Sequence, residues 1–332
     1  MTSVALAYQK KHHARALADE IDRGQFDFEI DCVEAERLSL YRAIRREGYD
    51  IVQVDEALRN GAVATLATRN SSTKVVVDVQ GWADYLNSHG EYGLLLAIGV
   101  KETARRVFRA ADGVIFASRA TKRELTPTFD FDDWRYAKPV FDSERYKKPT
   151  ESQAKTKADQ LLSVTNLRYE AKLDGIVTIL DALLPIFEKF DCRYRIAGGG
   201  TYLSDLEAYV DQYEYSDRVE ILGYREDIPD VLESADVFVY NSGLDSLGMV
   251  VLEAQAAGLP IIAGDCGGIP EAVGDEGIIC PPNRDGLRQT IETLLKSQKL
   301  RRELSKQARA RMETYGPKQV ARHVEFWRSL LD

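Results

Sequence analysis

Apolar and polar positions follow two different spacings that take turns along the chain. Short, nearly continuous apolar runs are followed by longer stretches in which apolar residues recur at every third or fourth position. The first kind reads as buried strand and the second as amphipathic helix. Strands are expected at 4–8, 28–32, 51–54, 74–79 and 112–118, then at 161–164, 192–197, 218–223, 237–240, 261–263 and 277–280. Helices are expected at 13–23, 92–111, 175–190, 231–234, 249–257, 287–296 and 300–313. A last helix follows Gly316 and Pro317, with Val320, Val324, Trp327 and Leu331 on one face. Elements of these lengths in this order predict parallel sheets covered by helices on both sides. Residues 147–159 are polar and nearly free of large apolar side chains, which reads as a linker. The 332 residues suffice for two domains, at 1–147 and 160–316, with the helix 317–332 beyond them.

Charge and composition narrow the function classes. A net charge of −9 argues against general nucleic-acid binding, whose footprint is basic. The first fifteen residues turn polar and basic after one short strand, unlike a signal peptide. The longest apolar runs, such as 94–100, are too short to span a bilayer. Cys32, Cys192, Cys266 and Cys280 lie far apart without metal-ligand spacing, as expected of reduced residues in a cytoplasmic protein. In the helix at 92–111, Lys101, Arg105, Arg106 and Arg109 recur at helical spacing, with Val100, Ala104, Val107 and Phe108 largely on the other side. Such a helix is either a solvated face over a core or a surface that rests on anionic lipid. The second reading would place the protein at the inner face of the membrane.

The stretch with the clearest chemistry is 236–271. A strand ends in Asn241 and Ser242, a loop runs to Gly248, and a helix begins there and stops at Gly258 and Pro260. A second strand then enters the turn Asp265, Cys266, Gly267, Gly268. In this strand–loop–helix–strand crossover the helix start offers free N–H groups that suit a phosphate, and Gly248 allows close approach to the backbone. Asp245 and Glu253 flank that start. Carboxylates accept hydrogen bonds from sugar hydroxyls and cannot neutralise phosphate. Together these features suggest a nucleotide-sugar.

Asp245 and Glu253, eight positions apart, resemble the E-x7-E motif of the GT-B retaining glycosyltransferases, specifically glycosyltransferase family 4. The run AAGLPIIAGDCGGIPEAV resembles that family's Gly-x-Pro and Gly-Gly-x-Pro-Glu segment. The likeness covers nearly the whole chain, strongest over 161–282 and loose before Asp112. It implies a GT-B fold, two Rossmann-like domains facing a cleft, with the last helix crossing back onto the first domain. It also implies transfer of a sugar from a UDP- or GDP-sugar to an acceptor hydroxyl with retention. Glu253 would bind the ribose and Asp245, one methylene shorter than the usual Glu, the donor sugar. Lys172 would clamp the diphosphate, with Asn166 and Arg168 in the same loop, and Ser246, Leu247, Gly248 and Met249 would line the helix start. The Gly198–Gly200 turn, represented by Gly199, would pack against the nucleotide. Tyr224 and Arg225 would border the base, by stacking or by facing solvent. No metal is expected, since no DxD-like motif stands at a plausible site.

The first half is less explicit. Gln80 stands where many relatives carry a His, and an amide can hydrogen-bond a sugar but cannot act as a base. His89 is a loop histidine nearby. Lys10, Lys11, His12 and His13 precede a helix whose dipole they oppose unless an anion sits beside them. They read either as a receiver for an acceptor phosphate or as a solvated turn. The acceptor class, a glycan or a lipid-linked glycan, is inferred from the resemblance alone. Two alternatives stay open: another GT-B enzyme, an epimerase or phosphorylase, and a relative that binds nucleotide-sugar without turnover.

Overall fold

A computed structural model describes residues 1–9, 11–86, 93–146 and 158–332. Lys10, His89 and all but the last two residues of the expected linker lie outside them. The chain forms two units, one from Met1–Asp142 with Thr314–Asp332, the other from Ser143–Glu313.

The first unit is built on strands β1 (Thr2–Ala7), β2 (Phe28–Cys32), β3 (Ile51–Val54), β4 (Lys74–Val79), β5 (Gly113–Phe116) and β6 (Trp134–Tyr136). Their order is β2-β1-β3-β4-β5-β6, and every pair is parallel. β3 and β4 are buried almost throughout, which is why they read as apolar runs rather than alternating ones. β6 was not anticipated, because three residues are too few to show a period. The helix Tyr315–Leu331 belongs to this unit. Its Val320, Val324, Phe326 and Trp327 share one core with Val4, Leu6, Ile51, Val76 and Ile115.

The second unit contains β7 (Gln160–Val164), β8 (Arg193–Ala197), β9 (Val219–Gly223), β10 (Val237–Tyr240), β11 (Ile261–Gly264) and β12 (Ile278–Cys280). They lie in the order β12-β11-β10-β7-β8-β9, again all parallel. The chain starts at the centre, winds out through β8 and β9, and returns to the other side of β7 with β10. That is the doubly wound order of dinucleotide-binding sheets, and its crevice opens where the winding reverses. The helix Glu170–Phe187 covers the sheet with Ile176, Ile179, Leu183 and Ile186. It begins five residues before the expected start at 175, so Lys172 stands in its first turn and not in a loop.

Candidate active site

In the second unit, β7 and β10 are neighbours with Val237 opposite Leu161. The segments leaving their carboxyl ends diverge, and the two charged side chains that meet there come one from each. Lys172 follows β7. Asp245 follows β10. They approach because the helix Glu170–Phe187 lies directly on the end of β10: a Cβ at Gly175 would stand 2.1 Å from the carbonyl oxygen of Asn241. No residue but glycine fits there.

The Lys172 ammonium is buried, with 4% of the residue exposed. It donates to Asp245 Oδ2 at 2.5 Å and to the Tyr240 hydroxyl at 3.0 Å. Tyr240, the last residue of β10, donates to the same Asp245 Oδ2 at 2.7 Å. Burial first, and then the Asp245 charge, push the Tyr240 phenol well above its ordinary range, so it stays a donor. Asp245 is held from behind as well, its carbonyl accepting from Gly268 N–H at 3.0 Å.

Three residues on, Gly248 takes φ +82° and ψ 63°, the left-handed region that favours glycine, and starts the helix Met249–Ala256. No side chain caps this end. Ser246 and Met249 are half-buried beside it, and Glu253 is half-buried one turn further on. The Leu247 side chain is core, 1% exposed, so at this position only the main chain faces the loop.

The loop after β7 is open. Asn166 and Arg168 are exposed, and the Arg168 guanidinium lies 5.4 Å over the Tyr169 ring. The Gly198–Gly200 turn packs tightly against the loop after β7. A Cβ at Gly198, whose φ is +155°, would stand 1.8 Å from Thr165 O. Leu167 N–H donates to Gly199 O at 2.9 Å, and a Cβ at Gly199 would meet Tyr224 at 3.2 Å. Tyr224 is 75% exposed, and Arg225 is paired with Asp227 at 2.8 and 2.5 Å.

Gln80 stands in the first unit, just past β4, half-buried, with its side-chain amide beside the Asp78 carboxyl. Two positions earlier, Asp78 is fully buried. Its Oδ2 ends a donor chain. Trp327 Nε1 donates to Gln53 Oε1 at 2.7 Å, Gln53 Nε2 to Tyr8 Oη at 2.5 Å, and Tyr8 Oη to Asp78 Oδ2 at 2.6 Å. Burial raises the Asp78 carboxyl to about 7, the Asp55 charge assisting and the hydrogen bonds from Tyr8 and Gln80 opposing. Lys11 pairs with Glu34 at 3.1 Å on the surface. Among the described residues no group of three or more His, Cys, Asp or Glu side chains could hold a metal ion.

Tyr240 and Asp78 were missed from the sequence. The signal for each was present: a tyrosine and an aspartate inside runs of Val, Phe and Ile must find polar partners once buried.

Comparison with known proteins supplies the frame for this geometry. The model for glycosyl transferases group 1 matches residues 144–311, and that for a glycosyl transferase 4-like domain matches residues 2–137. An N-acetyl-alpha-D-glucosaminyl L-malate synthase of Bacillus anthracis is 26% identical over 273 residues, 80% of this chain and 70% of that one. A GDP-mannose-dependent alpha-(1-6)-phosphatidylinositol monomannoside mannosyltransferase of Mycobacterium tuberculosis is 30% identical over 203 residues, 56% and 53% of the two chains. The chain therefore spans about half the length of the latter. Among solved structures, Anabaena Alr3699/HepE in complex with UDP superposes with a TM-score of 0.76 at 16% identity, covering 99% of this chain and all of that one. Sucrose-phosphate synthase from Thermosynechococcus elongatus gives 0.78 at 16% identity, covering 100% and 99%. At such identities the likeness is one of fold.

Proposed function

The chain belongs to glycosyl transferases group 1, a glycosyltransferase of the GT-B, family 4 type, and we propose that it moves a sugar from a UDP- or GDP-sugar to an acceptor hydroxyl with retention of configuration. The observation that carries the reading is the buried Lys172 ammonium, held against Asp245 where β7 and β10 part, in the loop that leads to the Gly248 helix start. Breaking the bond between a sugar and its diphosphate places charge on the leaving group. A fixed ammonium and a helix N-terminus stabilise that charge without a metal. Asp245 takes a hydroxyl of the donor sugar and Glu253 the ribose. The acceptor oxygen bonds to the anomeric carbon as the bond to the diphosphate breaks, and its proton leaves on the departing phosphate.

The acceptor is proposed to be a glycan or lipid-linked glycan, in assembly of surface polysaccharide, glycoprotein or glycolipid. Leu94, Leu95, Leu96 and Ile98 are exposed at the start of the helix Leu94–Ala110, ahead of Lys101, Arg105, Arg106 and Arg109. This supports peripheral contact with an anionic lipid surface at the inner face of the membrane. No described helix is long and apolar enough to cross a membrane.

A thermal-shift panel of UDP- and GDP-sugars tests the donor, because a ligand that binds only the native state raises its melting temperature. One of them should stabilise the chain and be consumed with release of nucleoside diphosphate in the presence of EDTA. Lys172→Ala should cost about two orders of magnitude in turnover. Full activity in that variant, or loss of activity on chelation, overturns the assignment.

A further inference from the structure

The Lys172, Tyr240 and Asp245 triangle leaves a definite remainder of hydrogen-bonding capacity. An ammonium has three protons. One goes to Asp245 Oδ2 and one to the Tyr240 hydroxyl. The Tyr240 proton also goes to Asp245 Oδ2. Two capacities are left. The ammonium keeps one N–H, and Asp245 Oδ1 accepts from no described residue, although the Asp245 side chain is 14% exposed. One is a cationic donor, suited to a phosphoryl oxygen. The other is an anionic acceptor, suited to a hydroxyl.

Of the three side chains only Tyr240 is immobile. Lysine is long and rotamer-rich, and Asp245 sits on a loop. Tyr240 is the last residue of a buried strand, 2% exposed, and its ring stacks on Phe238 with centroids 6.0 Å apart and planes 17° apart. Its hydroxyl is therefore the fixed point of the triangle. Without it nothing prevents lysine and carboxylate from closing into a two-oxygen ion pair, in which each would neutralise the other.

We propose that Tyr240 is a positioning residue for sugar transfer: its hydroxyl holds Asp245 by one oxygen so that the other meets a donor-sugar hydroxyl. This rests on the donor site proposed above and adds a residue to it. It also gives the shorter acid at 245 a physical basis, since a carboxylate gripped at one oxygen needs no longer reach to present the other.

Tyr240→Phe keeps the ring and removes only the hydroxyl. In the full chain, with UDP, UDP-glucose, GDP and GDP-mannose as probes, affinity for the free diphosphate should change by less than about threefold. Affinity for the matching nucleotide-sugar and kcat should each fall about tenfold or more, the size of one lost hydrogen bond to a charged group. Acceptor KM should stay within about twofold. Asp245→Asn combined with Tyr240→Phe should be no worse than Asp245→Asn alone, because both act through one carboxylate. A crystal of the unmutated chain with the nucleotide-sugar should keep Tyr240 on Oδ2 and show a sugar hydroxyl on Oδ1, a result independent of how well the variant folds. Wild-type kinetics in Tyr240→Phe, an equal loss for diphosphate and nucleotide-sugar, or a complex with the hydroxyl displaced would each overturn the role of Tyr240. A chain that binds none of the four probes instead sinks the donor site, and Tyr240 with it.

Discussion

Asp78 and His323 sit in one buried network and answer pH in opposite senses. His323 Nδ1 lies 3.3 Å from Gln53 Nε2, and burial lowers the imidazole from 6.5 to about 4. The unfolded chain then binds the proton more readily, so His323 makes stability rise with pH between about 4 and 6.5. Asp78 is raised from 3.8 to about 7. Here the folded chain holds the extra proton, so stability falls as pH climbs through that window. The two slopes oppose each other in the parent. Asp78→Asn removes the second, and its melting temperature should gain on the parent's as pH goes from about 5 to 8. Parallel profiles for the two proteins would show that Asp78 does not titrate there. That Lys172 and Asp245 meet follows from the fold, since the segments after β7 and β10 leave the sheet side by side; the sequence offered each as a separate candidate, Asp245 by its spacing from Glu253 and Lys172 by resemblance alone. Asp78 and Tyr240 show in the sequence only as polar groups within apolar runs; which partners they find is not legible, since Tyr8 and Lys172 lie 70 and 68 residues away in the chain.

The helix Leu94–Ala110 splits into two parts. Its second half packs Ala104, Val107 and Phe108 inward, with Phe108 against Tyr85, Phe129 and Phe131. Its first turn carries Leu94 at 77%, Leu95 at 86%, Leu96 at 58% and Ile98 at 55% exposure, spread around the helix rather than along one side. A turn that is apolar on every side fits a fluid hydrocarbon boundary better than a groove of fixed shape. Arg105 and Arg106 both pair with Glu102, so part of the basic character is met locally. Vesicles containing anionic phospholipid should sediment the chain at low salt, and Leu95→Asp with Leu96→Asp should reduce the bound fraction several-fold. Failure of the parent to sediment ends the idea. Periodicity located this helix and its buried side. Other element boundaries were less legible: Glu170 opens its helix behind Tyr169, with no side-chain cap to announce it, so Lys172 looked like loop.

At the scale of the molecule, both sheets could be read from the sequence because parallel strands buried on two faces leave continuous apolar runs. Their strand orders could not, since pairing partners are distant in sequence. The two units, each with its own sheet and core, are expected to respond to different perturbations. Trp327 is fully buried, tilted against Phe28 at 5.5 Å between ring centroids, and bonded to Gln53. Trp327→Ala should destabilise the first unit by about 3–5 kcal/mol. Nucleotide, bound to the second unit, should raise only the other transition in calorimetry. Equal movement of both transitions in either experiment would show that they unfold as one. The last helix has a consequence during synthesis. A nascent chain that has emerged from the ribosome as far as residue 142 has all six strands of its first sheet but not the lid for its own core, because Val320, Val324 and Trp327 are translated only after the entire second unit. Vectorial folding usually completes domains in the order they are made, and the chain order here predicts the reverse. The second unit can finish first, while the earlier one waits with an uncovered apolar floor and is, for that interval, the natural client of a chaperone.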